Sequence, residues 1–101
     1  SMGDLMKQAK AMQERIAGLQ AEVGSRTVEA SAGGGGVPAK VSGRLELVSI
    51  AIEPEVLNSG DREMLQDLIV AAVNQGLRQA QSMMADEVSK LTGGLKIPGL
   101  G

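Results

Sequence analysis

The sequence predicts an α+β fold: one helix, a three-stranded antiparallel sheet, then a second, longer helix. Three features carry this expectation. Apolar residues recur at alternating spacings of three and four from Met2 to Val23. Between residues 26 and 52 the period falls to two. From Leu65 to Leu91 the helical spacing returns.

The first helix is defined by Met2, Leu5, Ala9, Met12, Ile16, Leu19 and Val23, a strict a/d seam over three heptads. Asp4, Lys7, Lys10, Glu14 and Arg15 lie off the seam, and Gly24 is a C-terminal stop signal. A seam of this kind packs on the chain's own sheet or against another long helix. The two arrangements are compatible along different parts of one helix.

In the strand region Val28, Ala30 and Ala32 alternate with Thr27, Glu29 and Ser31, and Gly33 to Gly36 follow. Val37, Ala39 and Val41 then alternate with Pro38, Lys40 and Ser42, and Ser42-Gly43 marks a tight turn. Leu45 and Leu47 form one alternation and Ile50 and Ile52 another, with a change of phase at Val48-Ser49. Three strands joined by hairpins fit this pattern, with a bulge near Val48. Pro38 has no N–H to donate, which places it at an edge or at the start of its strand.

Pro54 ends the third strand, and Asn58-Ser59-Gly60-Asp61 is turn and cap material. The second helix follows with Leu65, Leu68, Ile69, Ala72, Val73, Gly76, Leu77, Ala80, Met83, Met84, Val88 and Leu91, stopped by Gly93-Gly94. At 1.5 Å per residue it is roughly 46 Å long, against roughly 30 Å for the first helix. A seven-residue strand is only about 23 Å long. The second helix therefore overhangs the sheet, and its apolar face needs another surface to cover it, for which a second copy of the chain is the simplest candidate. Ala72, Gly76 and Ala80 form a small-residue stripe expected to allow a close helix–sheet or helix–helix approach. Residues 1–92 are expected to form a single domain and residues 93–101 a tail with few means of ordering itself.

Composition excludes much chemistry. The chain has no Phe, Trp, Tyr, Cys or His. There is no thiol nucleophile or disulfide, no usual zinc or copper ligand, and no imidazole base. There are no aromatic platforms for stacking bases. The core is aliphatic only, which argues for help from oligomerisation. Gly33–Gly36 is not a phosphate loop, since Val37-Pro38-Ala39 and another strand follow it instead of Lys-Ser/Thr and a helix. The carboxylate pairs Glu53/Glu55 and Asp86/Glu87 read as solvated surface. No catalysis, cofactor, metal or small-molecule substrate is expected. No apolar run is long enough to span a bilayer. Ser1-Met2-Gly3-Asp4 lacks the features of a signal peptide, Ser1 reads as a cloning remnant, and a cytoplasmic location is expected.

Net charge is −2. Residues 1–44 carry six Lys/Arg against four Asp/Glu, a net of +2, and residues 45–101 carry four against eight, a net of −4. A solvated surface accounts for this mild asymmetry as well as function does. Lys7 and Lys10 share one face of the first helix, and Arg26 extends the same edge. Gln8, Gln13 and Gln20 are scattered around the helix, so no face is built to read a major groove.

The segments from Met12-Gln13 to Val28-Glu29-Ala30-Ser31-Ala32-Gly33-Gly34-Gly35, and Ile50-Ala51-Ile52-Glu53-Pro54-Glu55-Val56-Leu57, resemble the YbaB/EbfC family of bacterial nucleoid-associated proteins. So do Asp67-Leu68-Ile69-Val70-Ala71-Ala72-Val73-Asn74 and Leu91-Thr92-Gly93-Gly94-Leu95. The resemblance spans nearly the whole chain, in order. It implies an intertwined, tweezer-like homodimer with protruding helices, duplex-DNA binding, a nucleoid location, an association with recombination and repair, and no catalysis. Departures are Ser42-Gly43 where members often have Asn-Gly, Val73 where an aromatic is common, and Pro38 at the start of the second strand. With the resemblance, Lys7, Lys10, Arg15 and Arg26 become the expected phosphate contacts. Lys40 and Arg44 are the next candidates. The competing expectation is an adaptor dimer that holds a protein partner, with Met83-Met84 as its adaptable surface.

Overall fold

The computed structural model describes residues 1–94. The element order is α1 (Met2–Gly24), β1 (Thr27–Ala30), β2 (Ala39–Ser42), β3 (Leu47–Ile50), α2 (Pro54–Leu57) and α3 (Arg62–Thr92). The expected α-β-β-β-α order is therefore present, with one short helix added. The expected tail beyond Gly94 lies outside the described residues.

Each long helix is capped by residues that suit the position. Ser1 Oγ accepts from the Asp4 N–H at 3.3 Å, and Asp61 Oδ1 accepts from the Met64 N–H at 2.9 Å. Gly93 closes α3 in the left-handed region, φ 66°, and its N–H reaches the Ser89 carbonyl. α1 ends at Gly24, where the Ser25 and Arg26 N–H groups donate to the Glu22 and Val23 carbonyls. The one-turn helix α2 was not evident in the sequence, because four residues carry no period. Pro54 is pre-set for a first helical turn, and the Asn58 N–H donates to the Pro54 carbonyl at 2.8 Å.

The sheet has the order β1-β2-β3, all antiparallel. Thr27 to Ala30 pair with Ser42 to Ala39 without interruption. On the other edge Lys40 faces Ser49 but Val41 faces Leu47, so Val48 is the extra residue of a bulge, as its change of phase predicts. Past Ile50 the ladder continues, the Ala51 N–H donating to the Pro38 carbonyl and the Glu53 N–H to the Gly36 carbonyl, each at 2.9 Å. Pro38 thus stands just before β2, where only its carbonyl is used.

Leu45 departs from expectation. It is not a strand residue: its φ of 64° places it in the left-handed region at the end of the β2–β3 turn. The turn is held by buried Ser42, whose N–H donates to the Glu46 carbonyl at 2.9 Å and whose hydroxyl accepts from the Arg44 and Glu46 N–H groups. Gly43 is needed there, because a Cβ would run into the Val23 carbonyl at the end of α1 and stand 3.0 Å from Gly24 Cα. The first hairpin also packs. Its Gly33 and Gly36 leave room for Leu68 and Val56, respectively.

α3 lies on β1 and β2, and α1 lies on α3. Ala72, Gly76 and Ala80 are all buried, and a Cβ on Gly76 would sit 2.7 Å from Val41 Cγ2. The core is thin and aliphatic: Val23, Val37 and Val41 are its largest fully buried side chains. α3 leaves β3 largely uncovered. The register puts Leu47 and Ile50 on the same face as Val41 and Ala39, yet Leu47 is 46% exposed and the bulged Val48 57%.

The overhang of α3 is covered differently from the sequence expectation. Val88 is buried, and the seam residues Ile16 and Val23 of α1 are buried with it. The same chain's first helix packs on α3 there. The molecule is 69 Å long and only 19 by 16 Å across. Since α3 accounts for about 46 Å, α1 must run out past Thr92, antiparallel to α3. Gly76→Ala tests the close approach. The substitution gains about 1 kcal/mol in helix propensity, but a Cβ this close to Val41 places overpacking at the upper end, about 2–3 kcal/mol, so a net loss of about 1–2 kcal/mol is expected in denaturant unfolding. Unchanged or higher stability would contradict the packing.

Candidate nucleic-acid interface

The protruding arm is a helix pair at its root and a single helix at its tip. Ile16 and Val23 bury into the pair, Met12 and Leu19 are half-buried, and residues 1–11 are exposed throughout. Of the two sequence readings, the one met is a long helical partner, and that partner is α3 of the same chain. The seam's C-terminal half packs within the chain, and its N-terminal half meets nothing among the described residues.

Lys7, Lys10 and Arg15 lie on this arm and are exposed. At about 100° per residue they span an arc of roughly 140° on the back of α1, opposite the seam. None has an ion pair among the described residues. Asp4 and Glu14 share that arc, and α1 carries three cations against three carboxylates. Two of those carboxylates are engaged: Asp4 with the Ser1 amine at 3.6 Å, and Glu22 with Arg26 at 3.3 Å. The three cations therefore present a local positive strip even though the helix is formally neutral.

Arg26 stands apart from them. It lies beyond α1, and its guanidinium sits between Glu22 and Glu87, 3.3 and 3.7 Å away. Glu87 also pairs with Lys90 at 3.3 Å. Arg26 ties the root of α1 to α3 and, though exposed, is engaged by two carboxylates. The spacing of Glu22 and Arg26, four apart at a helix end, was legible in the sequence; the approach of Glu87 needed the fold.

The fallback cations are less well placed. Lys40 is on the open face of the sheet directly opposite Glu29, and Arg44 pairs with Glu46 at 3.8 Å. α3 carries Arg62, Arg78 and Lys90 against Glu63, Asp67, Asp86 and Glu87, an excess of acid. A shallow hollow at its start is lined by Asp61, Glu63, Met64, Asp67 and Leu68, a lining that repels anions. Met83 and Met84 are half-buried, so they do not form the open adaptable surface expected of an adaptor. Among the described residues no group of His, Cys, Asp and Glu could hold a metal ion, and no helix is long and apolar enough to cross a membrane.

A small sheet bearing a long helical arm, with cations along the arm's back, defines an α+β protein with a projecting helix. The chain belongs to the YbaB/EbfC DNA-binding family, whose profile matches residues 1–95. A nucleoid-associated protein of Pelotomaculum thermopropionicum is 54% identical over 100 residues, covering 99% of this chain and 95% of that one. Another, from Syntrophobacter fumaroxidans, is 55% identical over 95 residues, covering 94% and 86% of the two chains. An uncharacterized protein from Helicobacter pylori has the same fold, with a TM-score of 0.77 at 22% identity over 92% of this chain and 98% of that one.

The placement of Arg26 makes it separable from the three arm cations. Arg26→Gln is expected to lower unfolding stability by about 0.5 kcal/mol, as for other largely exposed pairs. It should leave the salt dependence of any DNA binding unchanged. A flattened salt dependence would show that Arg26 leaves its carboxylates for phosphate.

Proposed function

We propose that the protein binds duplex DNA as a homodimer and coats or organises the nucleoid, with effects on gene regulation, recombination and repair that follow from that coating. The observation that carries this reading is the strip of Lys7, Lys10 and Arg15 on the back of a freely projecting helix. Phosphate contact needs only positive charge at reach, and the arm offers it without a base-reading face. Sequence preference is therefore weak. Membership of a DNA-binding family supports the same partner. The acidic α3 and the balanced sheet face restrict docking to the arms.

The dimer reading rests on β3. Its apolar residues Leu47 and Ile50 extend the sheet's buried face beyond α3, and a second copy would cover them. Two copies joined at their sheets present two arms, a tweezer-like arrangement. A folded 10.4 kDa monomer in light scattering at micromolar concentration would remove this part of the reading.

The DNA part is tested by gel shift of unrelated duplexes over a range of salt. Three cations per chain give about six per dimer; with half to two-thirds engaged, log K should fall with log[salt] at a slope of about −3 to −4. Lys7→Gln with Lys10→Gln should weaken every duplex about equally and flatten the slope by about 2. No shift with any duplex at low salt would leave the adaptor reading in its place.

A further inference from the structure

The tip of α1 holds apolar surface that neither the fold nor the phosphate-binding reading uses. Met2, Leu5 and Met6 are 74%, 61% and 65% exposed, respectively. With Ala9 they cover an arc of roughly 100° on one side of the helix, the width of a stripe that normally faces a core. This stripe continues the seam that packs on α3 closer to the sheet, at the same three-four spacing. α3 ends at Thr92, so the tip has lost its partner by length alone.

We propose that this tip is a self-association surface, on which α1 of one dimer packs antiparallel against α1 of another. The proposal rests on the dimer and DNA readings above for its setting. A second copy is the occupant favoured by two features. The face continues an interface that α1 already makes, and only one side-chain charge borders it: Gln8 stands on one flank and Gly3 and Lys10 on the other, while Asp4 and Lys7 lie on the far side. Antiparallel pairing is two-fold symmetric, the arrangement in which one patch satisfies itself. It sets Met2 against Ala9 of the other copy, a long side chain against a short one, and brings Leu5 and Met6 together at the centre.

The contact is weak by design of its size. Two faces of about eight residues fall far short of the roughly 1,200 Å² that a stable pair buries. It acts when something else holds arms close. Dimers seated next to each other on DNA, or on two duplexes side by side, meet at effective concentrations of about millimolar. The back of the same helix, with Lys7, Lys10 and Arg15, stays free for phosphate. Tip pairing therefore makes binding cooperative on long DNA and links duplexes, while leaving the affinity of a single dimer unchanged.

The chain has no cysteine, so single-cysteine reporters are specific. Leu5→Cys is oxidised with a mild copper catalyst beside Asp4→Cys, whose side chain lies on the far face. The samples are protein alone at high concentration, protein on a duplex that seats one dimer, and protein on long DNA. On native sizing, disulfide-joined assemblies larger than a dimer should form with Leu5→Cys several-fold more than with Asp4→Cys, and more so on long DNA. Equal yields, or links confined to one dimer, would overturn the proposal. In parallel, Leu5→Gln should keep short-duplex affinity within about twofold and lose cooperative filling of long DNA. Loss of short-duplex affinity would show the tip touching DNA instead, which also overturns it. If the unmodified protein bound no DNA, the DNA reading would fail. The off-DNA yields of the two reporters would still decide the tip contact by the same comparison.

Discussion

α3 can lie against the sheet because Ala72, Gly76 and Ala80 present almost no side chain to it. In a chain without aromatic residues the close approach substitutes for bulk, since Val41 and Ala30 meet Gly76 where a larger protein would place a ring. Residues four apart on a helix advance about 40° around it. The ridge from Ala72 through Gly76 and Ala80 to Met84 and Val88 therefore turns steadily, facing the sheet at its start and α1 at its end. One row of side chains serves two partners in succession. The whole elongated shape depends on that turn.

The arm follows from it. α1 is held by its last two turns, where Ile16 and Val23 bury and Arg26 bridges Glu22 and Glu87. Its first turns extend beyond the end of α3, with apolar residues on one side and Lys7, Lys10 and Arg15 on the other. A helix that protrudes alone exposes both faces, and each of the two readings of this protein uses one of them: cations for phosphate, the apolar stripe for another copy. The sheet contributes a third open surface at β3, because a helix packed so closely on β1 and β2 is too narrow to shade the outer strand.

Much of this was legible in the sequence wherever a period repeats over several turns. The bounds of α1 and α3, the bulge at Val48 and the stop at Gly93 follow from spacing and from single residues with few conformational options. Short or non-local features were not legible. α2 is one turn long. Leu45 occupies a left-handed position that composition would assign to Gly or Asn, and it is held there by the hydrogen bonds of Ser42. The overhang of α3 was visible as a length mismatch, but its cover could not be identified, because a seam does not say whether its partner is in the same chain. Arg26 looked like part of a basic edge because charge along a sequence does not reveal a carboxylate arriving from α3. The family resemblance identified the fold and the partner, but it had no means of separating the three free cations from the occupied one.

α1 and α3 form one cooperative arm root within a single chain, and native-state hydrogen exchange puts this to the test. Amides of residues 16–24 and 80–91 should open together, with one free energy and one denaturant dependence, while residues 2–9 exchange far faster. Independent opening of the two stretches, with 16–24 exchanging as an isolated helix while 80–91 stays protected, would contradict it.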